Sequence, residues 1–365
     1  MWKINGLGKA GVFLAIIFAP TLLIKAQTAK YSNEFLNIGV GARALGMSGA
    51  NIATVNDATA GYWNPANLVD IKADLELAAM HAEYFAGIAQ YDYGAIAKPI
   101  DSVSTIALSV IRFGVDGIPN TTQLIDGDGN LNYDRITTFS AVDYGFLLSY
   151  SRKLGTPGLS LGGSVKVVNR RIGSFAKSWG FGIDLGITYR KGDWRFSALG
   201  RDITSTYNAW TYTLDEETEQ VFVATGNELP ENGLEITLPK IILGAAYKKD
   251  LNRFAIQGEI NAILSTDGQR NTLISGDPIS IDPVIGLEAS YINLIFLRAG
   301  IGNIQRIKTF NGSENVTIQP NLGIGLRLGN FYLDYAYTDI GDNSEGLYSN
   351  IFSLRFTIFK RSEGS

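Results

Sequence analysis

Apolar and small or polar residues alternate along most of the chain from about residue 74 onward. Between residues 178 and 190 every second residue is large and apolar, and the residues between them are mainly glycine, aspartate and threonine. The same alternation returns near residues 321–328 and 352–358. Because successive side chains of a β-strand point to opposite faces, this period of two predicts strands with one apolar face and one small or polar face.

Fourteen segments carry this signal, and most approach the roughly 9 to 11 residues of a tilted membrane-spanning strand. They lie near residues 74–83, 89–98, 103–113, 142–154, 159–170, 178–190, 194–203, 240–249, 253–263, 284–291, 294–302, 319–328, 331–338 and 350–359. Tight turns alternate with longer polar loops at 114–141, 171–177, 204–239, 264–283, 303–318 and 339–349. A soluble sandwich also alternates, but an even strand number with short turns on one side and long loops on the other is typical of outer-membrane barrels.

The start of the chain indicates export. Lys3 and Lys9 precede an uncharged apolar run at residues 10–24, and a cleavage site follows before Gln27. The run is shorter than the roughly 20 residues of a transmembrane helix. We therefore predict a signal peptide over residues 1–26 and a location in the outer membrane, with the long loops extracellular and the termini periplasmic.

Residues 27–72 differ from the rest, because they are rich in alanine and glycine and lack the period of two. This segment predicts short helices or packed coil that fill the lumen as a plug or hatch. The predicted fold is therefore all-β: an antiparallel transmembrane barrel of about fourteen strands over residues 73–360, preceded by the plug and followed by a short tail at 361–365.

The plug segment also resembles a known family. The runs at residues 35–50 and 62–68, with the aspartate between them, are similar to the N-terminal signature of the PorV/PorQ family. The residues that carry the resemblance include Arg43, Gly46, Gly49, Asp57, Trp63, Asn64, Pro65 and Ala66. The resemblance implies an outer-membrane component of type IX secretion or gliding that binds a translocon subunit or a secreted cargo protein.

A more distant resemblance, in Asn64-Pro65-Ala66 and the strand number, is to FadL-type transporters. It implies passage of a hydrophobic small molecule through the lumen, with the Asn-Pro-Ala element near a gate. From the residues alone, this element predicts a turn, because proline fixes its own φ and restricts the residue before it. Both functions remain open at this point.

Eight charged residues fall on the polar, lumen-facing side of the predicted strands. They are Lys166, Asp184, Glu259, Glu288, Arg298, Arg327, Asp334 and Arg355. Charges of both signs in a barrel interior can cross-link wall and plug, with Arg43 as a candidate partner, or they can line a selective passage.

Catalytic chemistry is poorly represented. The chain has no cysteine, which excludes thiol catalysis and disulfides. Its single histidine, His81, is interpreted as a strand residue, so Ser-His-Asp triads and multi-histidine zinc sites are excluded as well. The formal net charge of -4 argues against a nucleic-acid partner. We therefore predict no enzyme activity and no cofactor, with membrane lipid as one partner.

Two loops contain further candidates. Asp126, Asp128 and Asn130 resemble a calcium loop, but Leu131 replaces the required glycine, so an ordinary polar turn fits better. The acidic loop at 204–239 carries Trp210, Tyr212 and Phe222. Loops of this length are commonly functional, which makes it a candidate partner-binding surface or, alternatively, a solvated hairpin.

Overall fold

The period-two segments form one antiparallel sheet of sixteen strands in a computed structural model that describes residues 32–124, 130–308, 313–339 and 348–360. The strands are β1 (Leu75–Tyr84), β2 (Ala89–Pro99), β3 (Ser104–Asn120), β4 (Thr137–Lys153), β5 (Leu159–Ile172), β6 (Ala176–Lys191), β7 (Trp194–Arg201), β8 (Thr206–Tyr212), β9 (Gly233–Thr237), β10 (Lys240–Leu251), β11 (Phe254–Ser265), β12 (Ser280–Tyr291), β13 (Ile295–Lys308), β14 (Glu314–Leu328), β15 (Phe331–Asp339) and β16 (Tyr348–Ile358). Each of the fourteen predicted strands is present.

The sixteen strands occupy fourteen positions around a closed barrel. β7 and β8 lie end to end, since both pair with β6, one along each half of it. β10 pairs with β7, and β9 pairs with β8, so β9 and β10 together form the next position of the barrel. Pairing of β1 with β16 and of β5 with β6 closes the sheet into a barrel. The predicted fourteen-stranded antiparallel barrel is therefore confirmed.

The prediction of one continuous loop over residues 204–239 is wrong. This region contains β8, the helix α3 (Glu216–Ala224) and β9, so the wall extends beyond the barrel on the long-loop side. Trp210 and Tyr212 consequently lie in a strand, and Phe222 lies in the helix. The strand pieces escaped the pattern because the backbone breaks between β7 and β8, where Asp202 and Ser205 have positive φ.

The outer face of the wall is apolar. Side chains of leucine, isoleucine, valine and phenylalanine alternate with buried, inward-facing residues along most strands and are exposed on the outside. Aromatic pairs stand near the tight-turn end, with ring centroids 4.9 Å apart for Trp194 and Tyr247 and for Phe254 and Tyr291. No helix in the described part of the chain is long and apolar enough to cross a membrane. The exposed apolar belt is the surface that a lipid bilayer would cover.

Residues 32–74 fill the lumen as short pieces of helix joined by coil, which we call the plug. A 3-10 helix (Glu34–Leu36), two helical turns, α1 (Ala42–Leu45) and α2 (Ala60–Trp63), and a second 3-10 helix (Pro65–Asp70) follow one another. Their apolar side chains pack against the inner faces of β1 to β4 and form the hydrophobic core. The largest buried side chains include aromatic rings of β1 and β2.

The plug crosses the lumen from one end to the other. Ser32 lies beside Thr237 in the long-loop half of the barrel, with their hydroxyl oxygens 2.7 Å apart. Asp74, which enters β1, accepts a hydrogen bond from the backbone N–H of Lys360 at the tight-turn end, at 2.7 Å. Ser32 and Lys360, the first and last described residues, therefore lie at opposite ends of the barrel, while the termini of the predicted placement lie outside the described residues.

The apolar belt yields a direct test. Leu287 in β12 and Ile274 in the loop before β12 are each 55% exposed, but only Leu287 lies on the outer wall. We expect Leu287→Arg to lower the free energy of unfolding in lipid vesicles by about 2–4 kcal/mol, the cost of placing arginine near the bilayer midplane. Ile274→Arg, measured in the same denaturant titration, should change it by less than about 1 kcal/mol. Equal effects of the two variants would show that lipid does not cover the belt.

Candidate functional site: the plug and its two cavities

Glycines of the wall allow the plug backbone to approach closely. A Cβ atom at Gly300 of β13 would lie 2.2 Å from the carbonyl carbon of Met47, and one at Gly162 of β5 would lie 2.4 Å from that of Pro65. No larger residue fits at either position without displacement of backbone. The small residues of the predicted polar face thus leave room for the plug backbone against the wall.

A chain of alternating charges runs from the plug into the wall. Arg43 of α1 pairs with Glu288 of β12 at 2.9 Å, and Glu288 also pairs with Arg298 of β13 at 2.7 Å. Arg298 in turn pairs with Asp334 of β15 at 2.7 Å. All four side chains are largely buried, so removal of one would leave an uncompensated charge in a poorly solvated place.

A second ion pair joins Asp57 of the plug to Arg355 of β16, at 3.3 Å. Burial alone would raise the pKa of the Asp57 carboxyl, but the charges of Arg355 and Arg43 and hydrogen bonds from Thr59 hold its pKa below its usual value. Arg355 also lies over the ring of Tyr332, 3.7 Å from its centroid. Asp57 is therefore a carboxylate at neutral pH and binds the plug to the last strand.

Two wall carboxylates bind backbone groups of the plug. Glu259 of β11 accepts hydrogen bonds from the N–H groups of Ala53 and Thr54, at 2.9 and 3.0 Å, and from the Thr54 hydroxyl. Glu76 of β1 accepts one from the N–H of Ala58, at 2.7 Å. Since short helices leave many N–H groups unpaired, these carboxylates complete the hydrogen bonding that the plug cannot supply itself.

The Asn-Pro-Ala element forms the turn before the second 3-10 helix. The Oδ1 atom of Asn64 accepts a hydrogen bond from the N–H of Ala66 at 3.1 Å. Its Nδ2 atom donates to the carbonyl of Ile52 at 3.0 Å and to the Thr188 hydroxyl of β6 at 3.1 Å. The preceding Trp63 is buried and donates to the carbonyl of Val40 at 2.8 Å. The element thus holds together two separate parts of the plug and the wall.

Lys166 and Asp184 form a cluster within the wall. The Nζ atom of Lys166 lies 2.8 Å from Asp184 and 2.5 Å from Asp202, where the backbone breaks between β7 and β8. The N–H of Asp202 donates to Asp184 at 2.7 Å. The cluster therefore stabilises the interruption of the wall. The adjacent Arg201 contacts the plug, because it donates a hydrogen bond to the carbonyl of Tyr62 at 3.2 Å.

Sequence reasoning missed three arginines of the wall strands that reach the plug. Arg201 is one, and Arg190 of β6 and Arg195 of β7 are the others, since both pair with Asp70 at the end of the plug. Arg190 and Arg201 lie at inward-facing positions of their strands, and each follows a stretch of apolar or small residues. An inspection of every inward position, rather than of the strand centres, would have found them.

The remaining predicted residues lie elsewhere. Arg327 remains near the tight turn, where its Nε atom donates to the carbonyl of Gly329 at 3.2 Å and its guanidinium lies 5.1 Å from the ring centroid of Tyr332. Trp210 points inward and donates to Glu235 at 2.6 Å. Asp126 and Asp128 lie outside the described residues. Within the described ranges no group of histidine and acidic residues could hold a metal ion.

Two cavities flank the plug. The upper cavity, on the long-loop side, has a volume of about 480 Å³. Its apolar lining comes from the plug and from three wall strands and includes Leu45, Ile52, Trp63, Ile242, Ile263 and Val284. The lower cavity, on the tight-turn side, has a volume of about 340 Å³ and is lined mainly by charged residues, among them Arg43, Glu76, Glu288, Arg298, Arg327 and Arg355. The plug separates the two.

Comparison with solved structures shows the fold. The chain is similar to the CymD monoaromatic hydrocarbon channel, with a TM-score of 0.55 and 14% identity over 88% of this chain and 98% of the other. It is similar to the Pseudomonas putida toluene transporter TodX, with a TM-score of 0.52 and 12% identity over 88% and 99%. A Pseudomonas aeruginosa FadL homologue matches with a TM-score of 0.50 and 12% identity over 87% and 98%. No family model and no curated protein matches the chain. The fold is thus FadL-like.

The carboxylate bridge from β11 to the plug can be tested by substitution. Glu259→Gln keeps the shape of the side chain but replaces one acceptor oxygen with a donor group, so a hydrogen bond to the plug backbone is lost, at a cost of about 1–3 kcal/mol. We expect more frequent steps of ion conductance across planar lipid bilayers than for the wild type. Glu228→Gln, at an exposed position on the long-loop side, is the control and should leave the recordings unchanged. Identical recordings for both variants would mean that this bridge does not hold the plug closed.

Proposed function

We propose that this protein is a plugged outer-membrane channel for small hydrophobic molecules, of the FadL-like type. The observation that carries the proposal is the combination of a fourteen-stranded barrel with an N-terminal segment that crosses and closes its lumen. The likeness to hydrocarbon channels in fold supports the same reading. The exposed apolar belt and its aromatic pairs support the outer membrane as the location, with the long loops outside.

The upper cavity supports entry from the cell surface. It lies among the long-loop ends of β10 to β15 and ends on plug residues such as Leu45 and Trp63. An apolar floor of this kind lowers the free energy of an apolar solute relative to water. A solute bound there rests directly on the segment that must move before it can pass.

The way the plug is attached supports a movable rather than a fixed obstruction. Beside its apolar packing, it is held to the wall by ion pairs and hydrogen bonds, such as those of Arg43 and Asp57, and the chain contains no cysteine that could fix it covalently. Rearrangement of a few such contacts can join the upper and lower cavities. The plug therefore acts as the gate in this proposal.

A role in type IX secretion is the second candidate, and it rests on the N-terminal resemblance. The feature that favours it is the extension formed by β8, α3 and β9, which exposes Val223, Leu229 and Leu234 on the long-loop side. Exposed apolar residues at one site can bind another protein. Loss of surface-protein secretion in a deletion strain, with hydrocarbon uptake intact, would favour this candidate over the channel.

The channel function predicts a defect in uptake. In a strain that lacks the gene, we expect the initial rate of uptake of labelled toluene by intact cells to fall several-fold and to return with a plasmid copy. Cells of both strains with a permeabilised outer membrane should take up toluene at equal rates, because the defect lies in that membrane alone. Equal uptake by intact deletion and wild-type cells would contradict the proposal.

A further inference from the structure

The upper cavity is not uniformly apolar. Neutral polar side chains also line it, among them Asn37, Ser48, Asn261, Ser265, Thr272 and Thr338. A channel for plain hydrocarbons gains nothing from buried amides and hydroxyls, since each must lose water without replacement when an apolar solute binds. Their presence points to a solute that also forms hydrogen bonds.

Two of these side chains are almost fully buried and incompletely bonded. Asn261 is 2% exposed and Thr338 is 1% exposed. The Nδ2 atom of Asn261 donates to the carbonyl of Gly49 at 3.4 Å. Its Oδ1 atom and the Oγ1 atom of Thr338, however, have no hydrogen-bond partner among the residues that the structure describes. Buried polar atoms are normally paired, so both atoms are poised to bind a further group.

The acceptor atoms of the cavity lining indicate which kind of solute group would bind there. One carboxylate oxygen of Asp282, which lines the cavity, also lacks a hydrogen-bond partner within the described ranges. Carboxylate and amide oxygens only accept hydrogen bonds, and a threonine hydroxyl can accept as well. The complementary solute therefore offers donors rather than further acceptors.

The cations of the cavity already have partners. Lys240 and Arg270 lie 3.9 and 3.6 Å from the same oxygen of Glu34, and Arg270 also pairs with Asp267. Arg201 donates to the carbonyl of Tyr62 at 3.2 Å. An anionic head group would compete with these partners, whereas a cationic one would meet three positive side chains. A neutral hydroxyl group avoids both costs.

We propose that the upper cavity binds a small hydroxylated molecule, with its apolar ring or chain on the Leu45 and Trp63 floor and its hydroxyl groups donating to Asn261 and Thr338. The inference rests on the proposed function for its biological meaning, because it names the class of solute that the channel accepts. The binding step itself does not depend on transport.

The test compares two probes of one skeleton in equilibrium dialysis against the purified full-length protein in detergent. Catechol carries two hydroxyl donors, and 1,2-dimethoxybenzene, its dimethyl ether, keeps the ring and both oxygens but has no donor. We expect catechol to bind at least tenfold more tightly, since two hydrogen bonds are lost with the ether. Equal affinities, or tighter binding of benzoate than of catechol, would overturn the proposal.

Substitutions test whether the preference for catechol over its ether arises in the upper cavity. Thr338→Val keeps the side-chain shape, and we expect it to weaken catechol binding about fivefold to tenfold while it leaves the affinity for the ether unchanged. Asn261→Leu should act in the same direction. Ser151→Ala is the matched control, because Ser151 is also buried with an unpartnered hydroxyl among the described residues but lies outside the cavity lining. Retention of the heat-sensitive gel mobility of a folded barrel establishes that each variant has folded.

The outcomes separate the two proposals. Unchanged catechol affinity in both folded cavity variants, or an equal loss in the Ser151→Ala control, would contradict the cavity assignment. Donor-dependent binding without an uptake defect in the deletion strain would contradict the channel function but support the proposed binding site. An uptake defect with no preference for catechol over its ether would support the channel function but contradict the proposed binding site.

Discussion

The structure depends on the pairing of charged wall residues inside a lumen that the plug largely fills. A barrel in lipid turns its apolar residues outward, so its polar residues are collected on the inside. Water would solvate them in an open pore. Here the plug displaces much of that water, and each buried charge must find a partner or cost several kcal/mol. Arg43, Asp57 and the backbone N–H groups that bind Glu259 supply these partners.

This requirement accounts for the shape of the interior. Most of the apolar core lies between the plug and β1 to β4, whereas ion pairs join the plug to β12 and β16 and also to β6 and β7. The plug is thus packed mainly on the β1 to β4 side and held by ion pairs on its other sides. Contacts of the second kind can exchange partners without opening a void in a close-packed core. A movement that begins on the ion-paired side is therefore the less costly one, and both cavities border that side.

The wall could be predicted from the sequence and the plug only in part. Every predicted barrel strand is present because alternation is a local property, and long segments such as that around Trp179 carry it strongly. The prediction failed at residues 204–239, where the short strands β8 and β9 are separated from their continuations by positive-φ residues and by Pro239. Breaks of this kind remove the period that identifies a strand.

The pairing of plug and wall could not be predicted in detail. Arg43 and Glu288 are 245 residues apart, and their contact depends on the register of the strands up to β12 and on the path of the plug. The sequence indicates that charges face the lumen, but the strand register decides that Arg327 remains near a turn while Arg201 reaches Tyr62. The upper cavity could not be predicted for the same reason, since its lining residues come from seven strands, one loop and the plug.

The central claim is that the plug must move relative to the wall for a solute to pass, and a reversible crosslink tests it most directly. A Cβ atom at Gly302 of β13 would lie 3.2 Å from that of Ser48 in the plug, a few tenths of an ångström below the usual 3.5–4.5 Å of a disulfide. The chain has no other cysteine, so Ser48→Cys with Gly302→Cys introduces one unique pair. We predict that the oxidised double variant loses toluene uptake and that reduction restores it, while each single variant responds to neither treatment. Uptake at the wild-type rate with the crosslink intact would contradict the account.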